Sequence, residues 1–210
     1  MNTKLVGPLM GILFVLLVIV AFAVGGETPG TDDSPREIVD FYLDNDSEQS
    51  IASAILALAS VTFIFFLGTL RRALRAAAGD EGGLSTVTAL GGLTMAIGAS
   101  IFAGIGFTLG DAADDLPVGA ILTLNALNSD MFFTLAVGTA VFNLGLALAI
   151  LRHGGLARPL GWLALVVGIV ALTPGGFFAF LATGIVIVWT SIALAQQIGG
   201  AEPQPGPAAP

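Results

Sequence analysis

The chain contains no cysteine and only one histidine among its 210 residues. Disulfide bonds, thiolate metal centres, covalently attached haem and iron–sulfur clusters depend on cysteine, so these classes of site are excluded. A single histidine, His153, cannot build a metal site from several imidazoles. We therefore expect neither a metal nor a cofactor.

Charged residues are also scarce, since Asp, Glu, Lys and Arg make up 10% of the chain and hydrophobic residues make up 55%. A soluble domain has roughly a quarter of its residues charged. The mean hydropathy is +0.93, and the few charges lie between long apolar runs. This composition predicts an all-α, polytopic membrane helix bundle whose surroundings are membrane lipids. The net charge of −8 makes nucleic acid an unexpected partner.

Catalytic motifs are missing as well. The sequence has no H-E-x-x-H, G-x-S-x-G or G-x-x-x-x-G-K-[ST] pattern. No pair of acidic residues lies inside an apolar run, so an intramembrane protease is also excluded. We predict that the chain is not an enzyme.

Six apolar runs have the length that a membrane-spanning helix requires, which is about 20 residues for about 30 Å of hydrocarbon. The last two come from one long block that is broken by a turn at Thr173-Pro174-Gly175-Gly176. We predict a single transmembrane domain over residues 1–199. Its spans are expected at about 5–24, 51–70, 87–109, 131–151, 156–172 and 177–195.

The first apolar run has an alternative interpretation as a cleaved secretory signal. It follows Lys4 and ends in Ala21-Phe22-Ala23, which imitates a cleavage site. The run is about 20 residues long, whereas the apolar core of a signal has about 7–15. We predict that it is retained as a span, and cleavage would leave five spans.

Basic residues set the predicted orientation, because Lys and Arg are enriched in cytoplasmic loops. Placing the N-terminus in the cytoplasm puts six of the seven basic residues there and leaves only Arg36 outside. Twelve of the fifteen acidic residues then lie outside. Both termini are predicted to be cytoplasmic, and the Pro-rich tail at 200–210 is predicted to be disordered.

Two segments outside the spans carry their own signals. Ser34, Pro35 and Glu37 form a capping box that predicts a short amphipathic helix, with Ile38, Phe41 and Tyr42 on its apolar face. We expect this face to rest on lipid headgroups; a lid or docking element is the alternative. Residues 118–129 form an uncharged run too short to cross, which predicts a re-entrant or interfacial helix.

Polar residues near this second segment and inside the fourth span form the candidate polar site. The carboxylates could bind a cation or a basic partner, although they could equally be ordinary solvated ends of spans. The amide inside the fourth span must find a partner across a helix or in a cavity. The candidate residues are Asp111, Asp114, Asp115, Asn125, Asn128, Asp130 and Asn143.

Small residues recur at helical spacing along the third span, at Gly92, Ala96, Ser100 and Gly104. Such a ladder lets helices approach closely, so it predicts that the third span is central in the bundle. Pairing of two copies of the chain is the alternative, and the sequence does not decide the oligomeric state.

Several local patterns resemble those of a family of small multi-pass membrane proteins of actinobacteria that has no established function. They are Asp33 to Tyr42, Phe65 to Gly68, Arg158 to Trp162 and Thr173 to Phe178, and the resemblance extends over Met10 to Ile198. The resemblance implies a location in the bacterial plasma membrane.

Two functions follow as hypotheses. The first is a non-enzymatic structural or accessory membrane protein whose acidic outer face meets a protein partner or the cell envelope. The second is a transporter or channel for ions or small solutes, with a site near Asn143 and residues 118–129. The second hypothesis requires a polar cavity at mid-depth.

Overall fold

The computed structural model describes residues 5–200, which fold entirely into helices, turns and short connections. Lys4 and the Pro-rich tail from residue 201 lie outside the described residues, and so do the predictions made for them. A short 3₁₀ helix occupies Gly79–Glu81. The α-helices are α1 (Val6–Gly25), α2 (Pro35–Asp44), α3 (Asp46–Ala78), α4 (Gly83–Asp111), α5 (Val118–Asp130), α6 (Phe132–His153), α7 (Arg158–Val170) and α8 (Gly176–Gly200).

Five stretches are long and apolar enough to cross a membrane: α1, α3, α4, the stretch from α5 to the end of α6, and α8. Large apolar side chains such as Leu58, Ile64 and Ile185 lie exposed on their outward faces. A soluble protein would not leave so much apolar surface in water. The structure thus confirms an all-helical fold within residues 5–200. Its long apolar helices are consistent with a helical membrane bundle.

The helix α7 is shorter than the others, with 13 residues or about 20 Å of length. It falls below the length that a spanning helix normally needs. Its inner side is nonetheless buried in the bundle, because Leu160 and Ala164 have no exposed surface. The structure therefore supplies five helices of full spanning length and a sixth, shorter helix packed among them.

Neighbouring long helices run antiparallel. At one end of the α1–α3 pair, Gly7 of α1 faces Thr69, and at the other end Gly25 faces Ala52. The α3–α4 pair has the same arrangement, with Gly92 against Leu67 and Gly110 against the backbone of Asp46. The chain therefore passes up and down through the bundle in sequence order.

The helices α6 and α8 run in the same direction. Near their N-termini the rings of Phe132 and Phe177 lie 5.9 Å apart. Near the other end, the Gln197 side chain of α8 donates a hydrogen bond to the carbonyl of Gly155, just after α6. Because α6 and α8 run in the same direction and only α7 lies between them in the chain, α7 must carry the chain back along the bundle.

The helices α4 and α6 approach each other very closely. A Cβ atom on Gly91 would lie 2.3 Å from the backbone nitrogen of Phe142, and one on Gly138 would lie 2.4 Å from that of Met95. These distances leave no room for any side chain, so glycine is required at both positions. The two backbones pack directly against each other.

The predicted small-residue ladder of the third span is only half correct. Gly92 and Ala96 are buried against neighbouring helices, whereas Ser100 and Gly104 are exposed and nothing lies within 4 Å of a Cβ placed on Gly104. Along this part of α4 the buried face is formed by Ala99, Ala103 and Gly106 instead. A spacing of four residues drifts around a helix of 3.6 residues per turn, which explains the error.

Candidate functional site

Charges are segregated between the two ends of the bundle. One end, here called the acidic end, is formed by the segment from Glu27 to Glu48, the C-terminus of α4, the helix α5 and the start of α6. It carries twelve exposed carboxylates and the single arginine Arg36. They are Glu27, Asp32, Asp33, Glu37, Asp40, Asp44, Asp46, Glu48, Asp111, Asp114, Asp115 and Asp130.

The opposite end of the bundle is basic. Arg71, Arg72 and Arg75 lie in the C-terminal part of α3, beyond its apolar part. Arg152, in the last turn of α6, forms an ion pair of 3.2 Å with Glu81. Both side chains of this pair are largely exposed, so the ion pair contributes little to stability.

The predicted capping box at the start of α2 is confirmed. The Ser34 hydroxyl accepts a hydrogen bond from the backbone nitrogen of Glu37, and the Glu37 carboxylate accepts one from the backbone nitrogen of Ser34. Hydrogen bonding from the Ser34 side chain, and then from its backbone, to the Glu37 carboxylate holds the pKa of that carboxyl below its ordinary value. The helix start is fixed by residues three positions apart, which explains why the sequence revealed it.

The apolar face of α2 packs on protein. Ile38 and Tyr42 form a small core with Leu109 of α4 and Ile121 of α5. The prediction that this face rests on lipid headgroups is wrong for Ile38 and Tyr42, because α4 and α5 cover them almost completely. The two short helices α2 and α5 therefore form a layer packed on the acidic end of the bundle.

A buried hydrogen bond joins the two helices of this layer. The Tyr42 hydroxyl donates to Asn125 Oδ1 over 2.7 Å, and Asn125 Nδ2 donates to the carbonyl of Pro29 over 3.4 Å. Tyr42 is 1% exposed and Asn125 is 2% exposed. Because both polar groups are out of water and paired with each other, α2 and α5 are held in one relative position.

The ionisation of Tyr42 offers a direct test of this packing. Burial raises the pKa of Tyr42 from 10.0 to about 12. The chain has one tyrosine, so the ultraviolet absorbance of tyrosinate reports on this residue alone. We expect a titration midpoint near pH 12 in the folded protein and near pH 10 after unfolding in denaturant.

Linkage gives the same prediction for stability. The folded protein favours the neutral phenol. Burial of Tyr42 therefore contributes fully to the free energy of unfolding below pH 10, and this contribution is lost as the pH rises through about 12. A midpoint near pH 10 in the folded protein would mean that the Tyr42 hydroxyl is in contact with water and that the layer is loosely attached.

The candidate carboxylates and amides occupy different environments. Asp111, Asp114 and Asp115 are exposed, whereas Asn125 and Asn128 are buried. No hydrogen bond joins the two sets within residues 5–200. In the same residues, no group of three His, Cys, Asp or Glu side chains could hold a metal ion.

Asn128 faces a small cavity between α1, α3, α4 and α5, with a volume of about 70 Å³. Gln49 and Ser53 of α3 also line this cavity. The Asn128 side chain is 6% exposed, and in the described part of the chain its Oδ1 atom has no hydrogen-bond partner. The neighbouring polar residue Gln49 donates through Nε2 to the carbonyl of Gly25 over 2.6 Å.

Asp130 lies on a separate, wider surface pocket of about 520 Å³ at the same end of the bundle. Phe132 and Phe133 of α6 and the turn at Thr173 line it. Asp130 is exposed, and it is the one charged residue along this pocket. Asp130 and Asn128 thus belong to two different concave sites.

Asn143 lies deep in the bundle, with no exposed surface. Its Nδ2 atom donates to the carbonyl of Thr139 over 2.9 Å and across to the Thr183 hydroxyl of α8 over 2.8 Å. Its Oδ1 atom has no hydrogen-bond partner within residues 5–200. The side chain joins α6 to α8. Asn143 lies in the middle of α6, about three turns from the start of that helix at the acidic end.

The sequence did not predict the buried hydrogen bonds of two residues at this end. Tyr42 was assigned only to an apolar face, and Gln49 was not singled out at all. Their partners, Asn125 and Gly25, lie 83 and 24 residues away in the chain. No local pattern signals pairing over such separations.

Comparison with known proteins returns no match: no protein-family model, curated protein or solved structure corresponds to the chain.

Proposed function

We propose that the chain is a non-enzymatic integral membrane protein, structural or accessory in role, whose acidic end binds a basic surface of a protein partner. The observation that carries the proposal is the α2–α5 layer. It presents exposed carboxylates on helices that are fixed by the buried Tyr42–Asn125 hydrogen bond. A surface that is already ordered loses little conformational entropy on binding, so it suits recognition.

The charge balance of this surface supports a basic partner. Twelve exposed carboxylates face one arginine, and that arginine is already paired with Asp40 over 3.4 Å. A surface dominated by one sign of charge speeds the approach of an oppositely charged partner and repels partners of like charge.

The interior packing favours this role over transport. The alternative function, a transporter or channel using Asn143, needs water or solute to reach that amide. Asn143 has no exposed surface and bonds to Thr183 on the neighbouring helix. An amide packed in this way acts as a polar contact between helices.

We further propose six membrane crossings in a bacterial plasma membrane, with both termini in the cytoplasm. The parallel course of α6 and α8 supports a crossing by α7, aided by the connections at its two ends. The arginines of α3, α6 and α7 at the basic end support a cytoplasmic position for that end. The resemblance to the actinobacterial family supports the bacterial location.

Native mass spectrometry of the protein released from its own membrane tests the proposed function. We expect a second protein chain in stoichiometric amount. Reversing two exposed charges with Asp114→Lys and Asp115→Lys should remove it, because juxtaposed like charges cost several kcal/mol. The matched control, Asp114→Glu with Asp115→Glu, keeps both charges and should retain the partner.

Two results would contradict the proposal. One is a chain that carries only lipid in every preparation. The other is a partner that stays bound after the charge reversal, which would place the interface elsewhere on the protein.

A further inference from the structure

The cavity beside Asn128 has the properties of a binding site in its own right. It lies between four helices at the acidic end, is partly open to the surface and has a volume of about 70 Å³. Its apolar wall includes Phe102, and its polar groups include Gln49, Ser53 and Asn128. A space of this size holds a few water molecules or one small ion with part of its hydration shell.

The Asn128 side chain points to what the cavity binds. Its Oδ1 atom is buried and has no donor among the residues that the structure describes. A buried carbonyl oxygen is stable only when a donor or a cation meets it. Gln49 uses its Nε2 atom on the Gly25 carbonyl, which leaves its own amide oxygen as a second acceptor along the same cavity.

The surrounding field favours positive charge. The cavity lies at the C-terminal end of α1, at Gly25, and beside the last turn of α5, where Asn128 lies. Helix C-termini carry partial negative charge. The exposed carboxylates of Glu27 and Glu48 add to this potential from the surface.

The charge of the ion follows from its ligands. No carboxylate lines the cavity, whose polar side chains are amides and hydroxyls. Divalent cations in proteins are held mainly by carboxylates, whereas neutral oxygens suffice for monovalent ions, which lose their hydration shell more easily. We propose that this cavity binds one alkali-metal cation through Asn128 Oδ1, the Gln49 amide oxygen and the Ser53 hydroxyl.

A binding assay with radioactive ²²Na⁺ and ⁸⁶Rb⁺, the latter standing in for K⁺, tests this site. The full-length purified protein is used, in choline chloride buffer of constant ionic strength. We expect saturable binding of one of the two ions at one ion per chain. Excess unlabelled alkali ion should displace it, and Mg²⁺ at the same concentration should not.

Variants locate the site. Asn128→Leu removes the unpartnered oxygen and should weaken binding by about tenfold or more. Ser129→Ala is the matched control, because it removes a hydroxyl from the same turn of α5 without lining the cavity, and it should bind like the wild type. Each variant is first compared with the wild type by thermal unfolding in choline chloride.

A second variant covers the case in which Asn128→Leu does not fold. A methyl group on Gly106 would lie 2.7 Å from the Ser53 hydroxyl, so Gly106→Ala narrows the cavity and should also weaken binding. The proposal is overturned if the wild type binds neither ion saturably, if both variants bind as well as the wild type, or if Mg²⁺ displaces the ion. The first two results would mean that the cavity holds no alkali ion, and the third would mean that the bound ion is not held by a site selective for monovalent cations.

Discussion

Replacing Gly138 by alanine is expected to destabilise the bundle by about 3 kcal/mol, the upper part of the usual range for overpacking. The added Cβ would lie 2.4 Å from the backbone nitrogen of Met95 and 2.7 Å from its Cα atom. Backbone atoms cannot rotate away as a side chain can, so α4 and α6 must separate along their whole contact.

Thermal unfolding, followed by the fluorescence of the two tryptophans, measures this effect. A loss of about 3 kcal/mol lowers the midpoint by about 6 to 12 °C in a chain of this size. The matched control is Gly104→Ala on α4, where nothing lies within 4 Å of the new Cβ. Both changes gain the same helix propensity, so the difference between them isolates the packing. Equal midpoints for the two variants would show that α4 and α6 do not pack backbone to backbone.

Replacing Asn143 by aspartate is expected to have a comparable cost. The residue has no exposed surface, and its contacts are with Thr139 and Thr183, neither of which carries charge. A carboxylate at the centre of a membrane helix costs about 2.5 to 3.5 kcal/mol even by insertion measurements. We expect a strongly lowered yield of folded protein and a lowered unfolding midpoint.

Leucine at the same position is the informative control. Its side chain has the same number of heavy atoms, branched at the same carbon, and it removes an oxygen that has no partner among residues 5–200. Thr183 keeps its own hydrogen bond to the carbonyl of Ala179 over 2.8 Å. Asn143→Leu should therefore change the midpoint little, since both ends of the lost contact stay satisfied or apolar. If Asn143→Asp folded like the wild type, water would have to reach the site, and the transport hypothesis would gain support.

The helices with strong local signals could be predicted from the sequence. The start of α2 follows from the Ser34 capping box, and the turn between α7 and α8 follows from Thr173-Pro174-Gly175-Gly176. The ends of the helices were predicted less accurately. The helix α3 begins at Asp46 and ends at Ala78, whereas the predicted span was 51–70. Hydropathy locates the part of a helix that lies in lipid, and charged turns at either end continue the helix beyond it.

Contacts between distant parts of the chain could not be predicted. The chain has 28 glycines, and nothing local distinguishes Gly138, which touches a neighbouring backbone, from Gly104, which faces outward. The same limit applies at the acidic end. Asn125 and Asn128 lie one turn apart on α5, yet one bonds to Tyr42 and the other faces a cavity.

Cysteine labelling in intact cells tests the central claim most directly: a bundle with a closed interior that turns its acidic end outward. The chain has no cysteine of its own, so each introduced thiol reports alone. Ser47 and Ala76 are exposed near opposite ends of the single helix α3, and Asn143 is buried. With a membrane-impermeant maleimide we expect Ser47→Cys to be labelled and Ala76→Cys to be labelled only after cell lysis, with Asn143→Cys unlabelled until denaturation. Labelling of Asn143→Cys in intact cells would contradict the closed interior, and labelling of Ala76→Cys instead of Ser47→Cys would contradict the orientation.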